Sequence, residues 1–352
     1  MTKYSPFLKL KVGELSALIN LSYEDRKNII PLLELPRDDK YTVEKLITRI
    51  DNSVKKIKKK IENNFSFFID NYEIPDVFKI KGNDNYLYLI NSFSDFDIIP
   101  VIGFDRIESH NDIGINFANK KSKKIAIRIT RDYFENILAY KEDLNSMFTN
   151  IERDVSRILL LDCNYIENIV VDKCKVNIIR LLENILKDRL FSEIVISGSS
   201  IPSKISDIVQ KDTDKFINRN EVYLFKEIKK YFSKTTFTFG DYAVVSPGYS
   251  EINIDPKAML NVITPKIIYS LLDSHYISRG QRIKSHGIEQ YITQAKNLIK
   301  KTFFRKNFSW GDIFLFDKAT KKGTNITPSS IIGPTVNAHI KFMINEILSG
   351  SI

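Results

Sequence analysis

The sequence predicts an α/β fold: a (β/α)8 TIM-like barrel with a C-terminal α+β appendage. Three observations carry this expectation. Eight short apolar, β-like runs fill the first 246 residues, helical patterns alternate with them, and the rhythm changes from about Pro247. Strands alternating with helices form parallel sheets, because parallel neighbours need a crossover, usually helical. Eight such units within about 250 residues suffice to close a barrel. The expected division is a barrel over 1–246 and a hairpin-plus-helices appendage over 247–352 packed on it.

The runs are Phe7–Lys11, Ile29–Leu35, Phe67–Asp70, Ile98–Phe104, Lys124–Thr130, Arg157–Asp162, Glu193–Ser197 and Thr236–Val245. Between the first two lies a short helical pattern around Glu14–Asn20, then Ser22 ahead of Glu24 and Asp25, a cap with acids in the first turn. Pro36 closes the second run, and Thr42–Asn63 is strongly amphipathic, with Val43, Leu46, Ile47, Ile50, Val54, Ile57 and Ile61 on one face. Asp70–Phe96 shows only a short helical pattern. Pro100 marks a bulge or a strand start in the fourth run. The fifth run alternates so that Ala126, Arg128 and Thr130 share a face, and a helix over Asp132–Phe148 follows it. Gly240 and Asp241 interrupt the eighth run, where glycine signals a kink or a close backbone approach. Beyond it, Lys266–Leu272 and His275–Ser278 read as a hairpin, and Ile288–Lys300 and Thr335–Leu348 as amphipathic helices.

Composition narrows the class. A chain of 352 residues, 43% hydrophobic and 27% charged, is ordinary for a globular protein with a large core. No apolar stretch reaches the roughly 18 residues of a membrane span, and no signal-peptide core opens the chain, so a cytoplasmic protein without membrane insertion is expected. Two cysteines, Cys163 and Cys174, are too few for a disulfide framework or a four-cysteine zinc site. The net charge of +10 invites a nucleic-acid reading. The lysines of Val54–Ile61, however, fall opposite the apolar stripe, where a solvated outer helix accounts for them.

Polar residues at the carboxyl ends of the runs are Lys9, Glu34, Asp70, Asp105, Arg106, Arg128, Asp162 and Asp241. A closed barrel gathers such residues around one mouth. Two readings stand side by side: a salt-bridged plug, since charges entering a core must be paired, or a ligand or catalytic site. On the second, Glu34, Asp70, Asp162 and Asp241 supply acid/base groups while Lys9 and Arg128 hold an anion. No cofactor is evident, although carboxylates within about 4–6 Å of one another leave room for a divalent cation. After the seventh run, Ser197, Gly198, Ser199 and Ser200 offer N–H groups and hydroxyls to an anion, or simply form a turn. Walker A, Gly-x-Gly-x-x-Gly, His-Glu-x-x-His and Gly-x-Ser-x-Gly patterns are absent. The four histidines, His110, His275, His286 and His339, show no ligand spacing. Trp310 is expected to anchor the appendage on the barrel.

Several blocks carry a resemblance. Tyr4–Glu14, Ile30–Glu34, Phe239-Gly-Asp-Tyr242, Ser278-Arg-Gly280, Gln290-Tyr291 and Ser309-Trp-Gly-Asp312 resemble, in order, the signature blocks of the phage "beta protein" family. The last block departs from that pattern: Gly333-Pro-Thr-Val-Asn-Ala-His339 stands where a tryptophan and a paired histidine are expected. The family takes its name from a satellite-phage gene lying beside a killer gene called gop. The resemblance implies a prophage-borne, anti-phage role, with a toxin or defence protein encoded nearby as partner. It nominates Glu34, Asp241, Arg279, Gln290, Trp310 and Asp312, without assigning them chemistry. The rival expectation is a hydrolase or transferase acting on an anionic small molecule, a nucleotide or nucleic acid through the mouth carboxylates.

Overall fold

A computed structural model describes residues 3–188, 190–248, 263–320 and 326–352, so parts of the appendage, 249–262 and 321–325, lie outside the described residues. In chain order the strands are β1 (Ser5–Lys9), β2 (Leu32–Glu34), β3 (Ser66–Asp70), β4 (Lys79–Ile80), β5 (Asn83–Asp84), β6 (Asp97–Ile102), β7 (Lys124–Thr130), β8 (Ser156–Tyr165), β9 (Glu193–Ser199), β10 (Thr213–Asn218), β11 (Thr238–Asp241), β12 (Lys266–Ser270) and β13 (Ser274–Arg279). Strands β1, β2, β3, β6, β7, β8, β9 and β11 are hydrogen-bonded in that order, all parallel, and β11 closes back onto β1. The expected (β/α)8 barrel is present, and each of its strands falls on one of the eight apolar runs.

Local chemistry sets the elements. Ser22 accepts from the Asp25 N–H and caps helix Tyr23–Lys27, while Thr42 caps helix Val43–Lys58 through the Lys45 N–H. The latter helix buries Leu46, Ile50 and Ile57 and leaves its lysines in solvent. Pro100 lies within β6, and pairing with β7 starts only at Val101. The weak segment after Asp70 becomes the β4–β5 ribbon and helix Asn85–Ser92, capped by Asp84. The segment after β7 is a 3-10 stretch, Arg131–Tyr140, continued by helix Lys141–Asn150, not one helix. At Gly240 a Cβ would lie 2.9 Å from the Ser5 carbonyl oxygen, which is the close approach that the glycine signalled.

Alternation along the strands separates two cores. Phe7, Leu32, Phe68, Ile99, Val101, Ala126, Ile158, Leu160, Val195 and Tyr242 fill the barrel interior. Leu8, Leu33, Phe67, Ile69, Ile127, Leu159, Leu161, Ile196 and Phe239 point outward, into the layer beneath the helices. The hairpin β12–β13 forms as expected, and β10, from the crossover after β9, adds to it antiparallel. Helix Ile332–Leu348 packs on helix Val12–Ile19 and against β12, and its His339 reaches Asp241 of β11. Among the described residues no helix is long and apolar enough to cross a membrane.

Candidate functional site at the barrel mouth

Above the apolar interior the strand ends contribute a charged layer. Lys9, Glu34, Asp70, Arg128 and Asp162 are each at most 4% exposed. Arg128 occupies the centre. Its Nη1 donates to Asp70 Oδ2 (2.7 Å) and Glu34 Oε2 (3.3 Å), and its Nη2 to Asp162 Oδ2 (2.6 Å) and the Tyr242 hydroxyl (3.1 Å). Tyr242 in turn donates to Asp162 at 2.7 Å. Lys9 Nζ lies 3.1 Å from Glu34 Oε1 and 2.8 Å from Glu73 Oε2. Arg106 spans Asp70 at 3.0 Å and Asp105 at 2.7 Å. The half-buried Tyr72 ring covers both guanidiniums, 4.5 Å from that of Arg106 and 4.8 Å from that of Arg128.

The charges decide each other's ionisation. Burial alone would raise the Asp70 carboxyl, but the Arg106 and Arg128 guanidiniums outweigh it and hold it down at about 2. Burial raises Glu34, with Lys9 and Arg128 offsetting only part of the effect, and burial also raises Asp105. Lys9 is pushed up because Glu34 and Glu73 overcome its desolvation. Three cations thus meet five carboxylates, and the salt-bridged arrangement is the one observed. Two hydroxyls remain over. Thr130 and Ser197 sit in register on either side of Asp162, both buried, and among the described residues neither Oγ has a hydrogen-bond partner.

Asp241 does not join this layer. It precedes the inward Tyr242, so it points outward through the barrel wall into a second buried network. Tyr4 donates to Asp241, Arg219 Nη2 lies 2.7 Å from its Oδ2, and His339 Nε2 lies 2.9 Å from the same atom. Arg219 also binds Glu221 at 2.8 Å, and the Ser200 hydroxyl donates to Glu221 at 2.5 Å. Ser270 bridges His339 Nδ1 (2.6 Å) and His275 Nδ1 (3.0 Å). Although burial would raise the Glu221 carboxyl, Arg219 holds it at about 2, and burial drives His275 down to about 4. This network joins barrel, β12–β13 and the last helix.

The remaining candidates have structural partners. Gly198 packs on Ile166, and Ser199 accepts from the Ile201 N–H, so of the serine loop only Ser197 keeps an uncommitted hydroxyl. Arg279 donates to the Val209 carbonyl, Gln290 accepts from the Gln281 N–H, and Asp312 accepts from Tyr269 and Ser309. The Trp310 ring lies tilted against Phe314 of its own helix, 6.1 Å between centroids, while the tight anchoring contact belongs to the adjacent Gly311. Sequence reasoning missed Tyr72, Glu73, Arg219, Glu221 and the pairing of His339. The departing block that ends in His339 was the available signal. Among the described residues no group of three His, Cys, Asp or Glu side chains is arranged to hold a metal ion; arginines occupy the space between the mouth carboxylates.

Comparison with known proteins adds the relationship. A family model described as Beta protein matches residues 4–345. Protein beta of Enterobacteria phage P4 is 23% identical over 358 residues, covering 96% of this chain and 91% of that protein. Among solved structures, the enoyl reductase domain of MlnA from the macrolactin biosynthesis cluster of Bacillus amyloliquefaciens overlays with a TM-score of 0.39 and 9% identity, over 98% of this chain and 93% of that one.

Proposed function

Because the chain belongs to the Beta protein family, with a relative in phage P4, we propose that it is a phage- or prophage-borne defence component acting by binding, the neutralising or regulating partner of a neighbouring gene's product. The observation that carries this reading is the spent guanidinium of Arg128: it is committed to three carboxylates and a tyrosine, leaving the mouth charges paired with one another. A paired, closed layer suits a rigid platform better than turnover, which needs a group free to exchange a proton. The surroundings support it. The crossovers after β1, β3, β6, β8 and β9 each expose a large apolar side chain: Val12, Val77, Ile107, Ile169 and Phe216, with Ile169 at 86%. Exposed apolar groups on these crossovers suit a protein partner.

Expression of the neighbouring gene alone and together with this one tests the reading. Toxicity alone, relieved by co-expression and restored by Val77→Asp with Ile169→Asp, is the expected result. A neighbour harmless in both settings overturns it.

One observation favours a second reading, a mouth that takes an anionic ligand as a hydrolase or transferase would. It is the pair of unpartnered hydroxyls, Thr130 and Ser197, beside Asp162. Loss of phage protection in Thr130→Val and Ser197→Ala, with no fall in melting temperature, would select it.

A further inference from the structure

We infer that the surface formed by helix Val43–Lys58 and the groove beside it binds the phosphate backbone of nucleic acid, independently of the mouth and of the partner reading above. The groove lies between this helix and helix Val12–Ile19 and encloses about 390 Å³. Leu10 and Leu15 contribute apolar lining, while Lys45, Arg49, Asn52 and Lys56 line it from the longer helix. These four recur at spacings of three to four residues, so they form one stripe of donors along a helix face. From Lys45 to Lys56 the stripe runs about 16 Å at 1.5 Å per residue. Lys45 Nζ also donates to the Lys40 carbonyl at 3.1 Å and Arg49 Nη1 to the Leu10 carbonyl at 3.5 Å, and Asp38, which accepts from the Lys40 N–H, is the one carboxylate among the lining residues.

The stripe runs into a cluster of unpaired charge. Lys55, Lys56, Lys59 and Lys60 are exposed, and among the described residues none has an ion-pair or hydrogen-bond partner. Their neighbour Lys58 shows the contrast, being held by Asp95 at 2.5 Å. A helix C-terminus favours one or two cations in its last turn. It does not account for a further cation stripe facing a groove. A groove with apolar lining, a row of N–H donors and four unneutralised ammonium groups beside it suits a repeating anion, and each phosphate it neutralises releases counterions. Contacts to phosphates alone carry no sequence preference.

The test is fluorescence anisotropy of the full chain with a labelled 20-base-pair DNA duplex across 50–300 mM KCl. The expected result is binding whose log K falls steeply with log[salt]. Replacing Lys55, Lys56, Lys59 and Lys60 by Gln should reduce that slope by up to about 3.6, at roughly 0.9 per phosphate contact, and weaken binding at least tenfold at 100 mM. A control removes the same charge elsewhere, through Gln at the exposed Lys211, Lys230, Lys234 and Lys284. It should leave the slope unchanged. Equal losses in both quadruple variants, or no binding at 50 mM, overturn the inference. So does binding to phosphatidylserine vesicles with none to the duplex.

Discussion

Arg128 and Thr130, two residues apart on one face of β7, bring opposite energetics into the barrel. Arg128 is buried but compensated: each of its nitrogens reaches a carboxylate. Arg128→Gln leaves Glu34, Asp70 and Asp162 facing one another without that charge, and stranding buried charges costs about 3–5 kcal/mol. Denaturant unfolding should show that loss. The Thr130 hydroxyl is buried without a partner, and an unsatisfied buried group costs about 1–3 kcal/mol. Thr130→Val should therefore raise stability by about 1 kcal/mol, the reverse of the usual result for a polar core position. A destabilised Thr130→Val variant would mean that the hydroxyl has a partner in solution.

At the level of elements, the eight barrel strands were legible because each is a short apolar run, and apolar runs survive without knowledge of their neighbours. Which side of the wall a residue faces was not legible at β11. Thr238, Gly240 and Tyr242 alternate with Phe239 and Asp241, so both faces mix polar and apolar groups, and pairing with β1 at Pro6↔Asp241 settles the parity. Arg219 escaped notice for a related reason: β10 just before it is almost wholly exposed and has only Phe216 and Ile217 as apolar residues, yet Arg219 is 1% exposed between β11 and the hairpin. The last helix is held by a different device. At Gly311 a Cβ would come within 1.9 Å of the Pro334 carbonyl oxygen, a backbone atom that cannot step aside. Gly311→Ala should force helix Trp310–Ala319 away from helix Ile332–Leu348 and cost at least about 2 kcal/mol, on the scale of overpacking. An unchanged urea midpoint in that variant would show that the two helices are not packed this closely.

For the molecule as a whole, two buried polar networks and a buried imidazole at His110 tie folding to pH. Burial lowers His110 and His275 to about 4, so between the unfolded value near 6.5 and that point the unfolded chain binds protons that the folded one refuses. Stability contributed by each is present above pH 6.5 and is lost as pH falls through 4, by about 3 kcal/mol per histidine. Asp70 and Glu221, held at about 2, lose theirs below the ordinary carboxylate range as pH drops towards 2. Glu34 and Asp105, raised by burial, act in the opposite sense and soften the fall as pH drops into the carboxylate range. His275 is the informative member. With Ser270 donating to His339 Nδ1 and accepting from His275 Nδ1, the tautomers assigned from the network leave His275 Nε2 without a proton or partner, 3.7 Å from Glu221. Its protonation would put a second cation beside Arg219 in a fully buried space. The melting temperature should therefore fall between pH 6.5 and 4.5, and His275→Asn should flatten that stretch of the curve even if it lowers the plateau at pH 7.5. A variant curve parallel to the wild-type one would place the acid sensitivity at His110 instead.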